Sequence, residues 1–198
     1  MRLDDIDQVR RIEKESFPTS WPRNAYRREI VENERAQYLV LRRVGGDKCP
    51  KPHHNSRPRR FRIPLFPFSS GRASQDNIVG FAGQWVMAEE AHITTIAVDV
   101  AHRGRGLGEL MLIEMIKLGQ AAGATSMTLE VRVSNSIAQA LYRKFDFYEN
   151  GIRPRYYSDD AEDALIMWSD GIDACGFRAR LAEREVALSE RLGWESRL

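Results

Sequence analysis

The stretch HITTIAVDVAHRGRGLGELM, residues 92–111, joins the signals that decide the fold. Its first seven residues, HITTIAV, are rich in β-branched side chains and read as a strand. Its middle sets Arg103, Gly104, Arg105, Gly106 and Gly108 almost side by side. Its end opens an apolar run from Leu107 to Ala122, with Leu107, Met111, Met115 and Leu118 on one helical stripe. Gly123 is a candidate C-terminal cap, and SMTLEVRV at 126–133 reads as a second strand. Strand, glycine loop, helix and strand form a βαβ unit, which implies a parallel pair.

Working outward, residues 4–15 and 22–35 read as helices, with Ile6, Val9 and Ile12 at helical spacing. Between them lies the turn-rich SFPTSWP, whose Pro18 and Pro22 limit helix continuation. QYLVLRRV at 37–44 and NIVGFAGQWVM at 77–87 read as strands. Beyond the βαβ unit, Ser134 or Asn135 can cap a helix running to about Phe145. FYENGI and DALIMWS, joined by the polar RPRYYSDDAE, close the pattern as an antiparallel hairpin. The expectation is a mixed α/β (α+β) sheet with helices packed on it and no internal repeat.

Two segments stand outside that core. Residues 45–77 hold five of the eight prolines, and KCPKPHHNSRPRRFR carries six basic residues and no acidic one. This reads as an inserted loop between two strands; its 48–62 portion, a charge cluster with an aromatic, suits contact with RNA or the ribosome. From 170 to 198 a C-terminal extension contains FRARLAEREVALSERL, an amphipathic helix without an evident partner. The organisation expected is therefore a domain over 1–169, interrupted at 45–77, with a helical tail.

The bulk properties exclude several classes. With 198 residues and a formal charge of +2, the chain can bury a core and offers no global case for nucleic-acid binding. It has no apolar run long enough to span a bilayer, and its N-terminus, MRLDDIDQVRRIEKE, lacks a signal-peptide core. Cys49 and Cys175 lie far apart, and His53 and His54 have no further ligand set, so no metal site is expected. The chain reads as cytoplasmic.

Alternating glycines between a strand and a helix let backbone N–H groups approach an anion, and phosphate oxygens are the natural guest. A P-loop requires GxxxxGK[ST], which is absent. A dinucleotide fingerprint requires GxGxxG, whereas Gly104, Gly106 and Gly108 give GxGxG, even though Glu130 stands on the next strand as a ribose-binding candidate. The third pattern, [QR]-x-x-G-x-[GA], is met from Arg103 to Gly108.

That loop resembles the pyrophosphate loop of the GNAT superfamily of N-acetyltransferases. LEVRVSNSIAQALYRKFDFYENGIRPRYYSDDAEDALIMW, and SFPTSWP near the N-terminus, are similar to its ribosomal-protein-alanine N-acetyltransferases (the RimI subfamily). The resemblance covers residues 1–44 and 78–169. It implies the GNAT fold, a twisted and mostly antiparallel sheet with a central parallel pair flanked by helices. It also implies acetyl-CoA as acetyl donor, with coenzyme A as product. The backbone of Ile96, Ala97 and Val98 would hold the pantetheine arm. The loop amides of Arg103, Gly104, Arg105, Gly106, Leu107 and Gly108 would hold the pyrophosphate, and Asn135 would touch the cofactor arm. Glu130 would serve as general base and Tyr142 as general acid, because an amine mostly protonated at neutral pH must lose a proton to attack a thioester. Tyr156 and Tyr157 are candidates for peptide contact. The acceptor implied is the α-amino group of a protein N-terminus, the N-terminal alanine of a small-subunit ribosomal protein. A lysine side chain or a polyamine is the alternative acceptor, and a non-catalytic CoA-binding or RNA-associated module the alternative class. Three features depart from the family: Asp146 stands where members usually have glycine, little of a first strand precedes RLDDI, and 45–77 is inserted.

Overall fold

The structure is a computed structural model that describes residues 1–43 and 78–193. The basic insertion at 45–77, with the RNA contact expected at 48–62, lies outside the described residues. Six strands form one mixed sheet: β1 (Ala36–Arg42), β2 (Ile78–Met87), β3 (Glu90–Val98), β4 (Ser126–Arg132), β5 (Tyr148–Arg153) and β6 (Ala164–Asp170). Among the described residues five α-helices accompany them: α1 (Ile6–Ser16), α2 (Ala25–Val31), α3 (Leu107–Ala121), α4 (Ser136–Lys144) and α5 (Cys175–Leu192). The strand order is β1-β2-β3-β4-β6-β5, and the β3–β4 pair is parallel, as the βαβ reading requires.

Two bulges decide which side chains face which way. Between β2 and β3, Gly83 pairs with Thr95 and Gln84 with Ile93, so Thr94 is an extra residue. A bulge reverses the alternation along a strand. Ala91 and Ile93 therefore share the α3 face with Ile96 and Val98 beyond the bulge, while Ala97 turns toward α1. In β5, Glu149 pairs with Met167 and Ile152 with Leu165, again one residue too many. Tyr148 and Arg153 thereby come to the face that carries Glu130, despite their opposite parity.

One face packs on α1 and α2 through Val9, Ile12, Tyr26 and Phe81. Helix α2 is shorter than the 22–35 expected, because the Asn33 side chain accepts the Arg35 N–H at 3.1 Å and turns the chain into β1. On the other face α3 is buried around most of its circumference, Leu110, Leu112, Ile113 and Ile116 as well as the expected stripe. The reason is α5, which covers the side of α3 away from the sheet with Phe177, Leu181, Leu188 and Leu192. Each such side chain contributes about 1.5–3 kcal/mol when fully buried. Polar contacts align the seam: Glu109 of α3 pairs with Lys144 and Arg191, and Lys117 with Glu185 at 2.5 Å. Asp146 has φ 64, the left-handed region the glycine comparison pointed to, and its carboxylate binds Arg180 at 3.0 Å and Arg184 at 2.8 Å.

Candidate active site

The ladder between β3 and β4 runs from Glu90–Ser126 to Ile93–Leu129 and then stops. Beyond it β4 remains paired with β6, whereas the β4-facing edge of β3 from Thr94 to Val98 has no strand partner among the described residues. The two strands splay, and a cleft of about 620 Å³ opens at the fork. Glu130 lies on its floor, Tyr142 and Asn135 of the α4 region on one wall, and Trp21, Trp85, Tyr156 and Tyr157 around the rest.

At the end of β3, Asp99 caps the following turn by accepting the Ala101 N–H at 2.9 Å. Gly104 and Gly106 take φ 72 and 81, a conformation costly for residues with a Cβ. The turn they make leaves the N–H groups of Gly104 through Glu109 without a protein acceptor among the described residues. That row sits on the N-terminus of a fifteen-residue helix and fits a pyrophosphate, while the unpaired β3 edge fits an amide-bearing arm.

The Glu130 side chain is 7% exposed and doubly paired, with His92 Nε2 at 3.1 Å and Arg153 Nη1 at 2.9 Å. Burial pushes its carboxyl upward, but the His92 hydrogen bond and the charges of His92 and Arg153 outweigh that, and its pKa lies below the ordinary value. Tyr142 is pushed the other way, well above its ordinary value, by burial and then by Tyr157. The cleft thus holds an ionised carboxylate and a phenol that keeps its proton.

A sequence profile of the Acetyltransferase (GNAT) family matches residues 6–147. The chain belongs to the GNAT family. It is an acetyltransferase with acetyl-CoA as its donor. A Bacillus subtilis protein, provisionally named a [ribosomal protein bS18]-alanine N-acetyltransferase, is 36% identical over 85% of this chain and 91% of its own. The Escherichia coli [ribosomal protein bS18]-alanine N-acetyltransferase is 40% identical over 46% of this chain and 62% of its own. The crystal structure of the ribosomal-protein-S18-alanine N-acetyltransferase from Escherichia coli superposes with a TM-score of 0.64 at 25% identity, covering 86% of this chain and 90% of that one.

Within this GNAT chain the expected site residues fall into three groups. Glu130, Tyr142, Asn135, Ile96, Tyr156 and Tyr157 line the cleft together. Asn135 also caps α4, its Oδ1 accepting the Ala138 N–H at 3.1 Å. Tyr157 lies beneath Arg132, 3.9 Å from ring centroid to guanidinium, and burial pushes its hydroxyl up to about 12. Ala97 and Val98 continue the β3 edge, with side chains turned into opposite cores. In the loop, Leu107 buries its side chain and offers its N–H, and Arg105 is exposed. Arg103 spans the loop's base, donating to Val98 O at 3.0 Å and Ser16 Oγ at 2.9 Å, which ties the loop to α1.

Several residues in the cleft or paired to its carboxylate were missed by sequence reasoning. Glu13 of α1, 1% exposed, accepts the Trp21 N–H and the Tyr26 hydroxyl at 2.9 Å each and so fixes the α1–α2 joint against the cleft. His92 and Arg153 flank Glu130. His92 stands two residues before the parallel-pair fork, a position that strand alternation could have assigned to the Glu130 face. Arg153 reaches that face only because of the β5 bulge, for which the sequence offers just Asn150 and Gly151.

Proposed function

We propose that this chain acetylates the α-amino group of a protein N-terminus, the N-terminal alanine of ribosomal protein bS18. The observation that carries the acceptor is the likeness to the Bacillus subtilis relative, which runs through nearly all of both chains. The cleft supports it: aromatic walls from the α1–α2 joint, β2 and the β5–β6 connection converge on Glu130, a shape suited to a chain end.

Acetyl-CoA supplies a thioester whose carbonyl carbon is the electrophile. The loop N–H groups and the β3 edge hold its pyrophosphate and arm. Glu130, ionised at neutral pH, takes the proton that the acceptor nitrogen releases as it bonds to carbon. Unpaired N–H groups on β3 supply donors for the carbonyl oxygen as it gains charge. Tyr142, kept protonated by burial, gives its proton to the departing sulfur. Aromatic rings of Tyr156 and Tyr157 pack against the first residues of the acceptor.

The test is a transfer assay with acetyl-CoA against peptides bearing an N-terminal alanine, lysine-bearing peptides with blocked N-termini, and polyamines. Acetylation of the free alanine amine is expected. Transfer to polyamines alone would overturn the acceptor assignment.

A further inference from the structure

The pairing of Glu130 leads away from the Tyr142 side of the cleft into a second hydrogen-bonded series. His92 and Thr128 are register partners on the parallel pair, which brings His92 Nδ1 to 2.8 Å from Thr128 Oγ1. Thr128 Oγ1 is also 2.8 Å from Glu90 Oε1. A carboxylate accepts only, so the single hydroxyl proton of Thr128 points to Glu90. Toward His92 the hydroxyl can then only accept, and Nδ1 must carry a proton. The ring is thereby fixed with Nε2 as the nitrogen that faces Glu130, since the hydrogen bond made by one ring nitrogen sets which tautomer the other presents.

Nε2 without a proton and an ionised Oε2 would both be acceptors, and 3.1 Å between them would be repulsive. Once one proton sits between them the same contact becomes a hydrogen bond, so the geometry is that of the pair after it has received a proton. The surrounding charges are few. Arg153 of β5 holds the other Glu130 oxygen at 2.9 Å, and Trp85 of β2 lies beside the imidazole at 6.3 Å. Trp85 Nε1 donates in turn to Glu29 of α2 at 2.6 Å, and Tyr156 stands next to Arg153 at 5.7 Å. From α1, Glu13 lines the cleft with its carboxylate engaged by Trp21 and Tyr26.

We propose that Glu130 and His92 receive the acceptor's proton as a pair, with Thr128 and Glu90 as positioning residues that keep Nε2 turned toward Glu130. The inference rests on Glu130 being the base. As the acceptor N–H bond breaks and the nitrogen bonds to the acetyl carbon, the proton joins a Glu130 oxygen. It then passes to His92 Nε2, leaving a carboxylate–imidazolium pair that returns the proton to solvent through the open cleft. The 21% exposed His92 side chain gives it that exit.

The experiment measures kcat and KM across pH for wild type, His92→Gln, Thr128→Val and Glu130→Gln, with the acceptor that wild type acetylates best. For His92→Gln, kcat should fall at least ten-fold with KM for acetyl-CoA unchanged. The acidic limb of its kcat profile should also move to lower pH, because the carboxylate then takes the proton without the imidazole. For Thr128→Val, a shape-conserving change, kcat should fall several-fold with the limb in place. Wild-type kcat and limb in folded His92→Gln, beside an inactive Glu130→Gln, would overturn the pair and leave the base. Should His92→Gln not fold, wild-type kcat in Thr128→Val would overturn it. Full activity in Glu130→Gln would overturn the assignment of Glu130 itself.

Discussion

Replacing Asp146 tests how the C-terminal helix is tied to the rest of the domain. The residue pays a conformational cost at φ 64 and is compensated by two arginines of α5. A residue other than glycine in this region costs about 1–2 kcal/mol, and aspartate falls at the low end, about 1 kcal/mol. Arg184 meets both carboxylate oxygens, at 2.8 and 3.2 Å, with each partner at most one-third exposed. That contact contributes about 1.5 kcal/mol, and the more exposed Arg180 contact about 0.5 kcal/mol. Asp146→Gly loses about 2 kcal/mol of pairing and recovers about 1 kcal/mol of strain, a net destabilisation of about 1 kcal/mol. Asp146→Ala loses the pairing and raises the strain, for a net of about 3 kcal/mol. The assay is urea unfolding at neutral and acid pH. Arginine contacts hold the Asp146 pKa below its ordinary value, so their contribution is complete above the unfolded pKa near 3.9. It is lost as pH falls through the lower, folded value, and there the order should reverse, with Asp146→Gly the more stable by about 1 kcal/mol because only the strain remains. An Asp146→Gly variant more stable than wild type at neutral pH would refute the reasoning, since strain would then outweigh the ion pairs.

Gly104→Ala and Gly106→Ala should both raise KM for acetyl-CoA, as each forces a positive φ on a residue with a Cβ. Gly106→Ala should be the worse, because its Cβ would stand 2.9 Å from Leu188 of α5 while that of Gly104 meets nothing; equal effects in paired kinetics would remove α5 as a support of the loop. Tyr142→Phe should lower kcat ten- to hundred-fold at unchanged KM, measured by thiol release, and an unchanged kcat would remove Tyr142 as the acid. Glu109→Gln should destabilise the α3–α5 seam by about 1–2 kcal/mol in thermal unfolding, since Lys144 and Arg191 lose their common anion.

Local signals carried most of the fold. β-branched runs, proline joints and the glycine loop placed the strands, the α3 boundaries and the parallel pair, since each is fixed by neighbours in the chain. What escaped depends on partners far along it. The stripe on α3 understated its burial because the 18-residue α5, which covers the other side, has an amphipathic pattern that names no partner. Glu130 and Tyr142 were singled out by the resemblance of LEVRV and ALY to the family, and both line the cleft. The approach of His92 and Arg153 to Glu130 escaped the sequence, because it is set by cross-strand register and by a one-residue bulge. Asp146 was legible as an oddity, but its two arginines lie more than thirty residues downstream.

The most direct test of the central claim is the rate of acetyl transfer to a peptide with the bS18 N-terminus, for wild type and Glu130→Gln, with acetyl-CoA affinity measured separately. Wild type should transfer acetyl to the alanine α-amine. Glu130→Gln should lose about a hundred-fold or more in rate with affinity for acetyl-CoA retained. Equal rates in the two proteins, or no transfer to that amine by a wild type that binds acetyl-CoA, would contradict the claim.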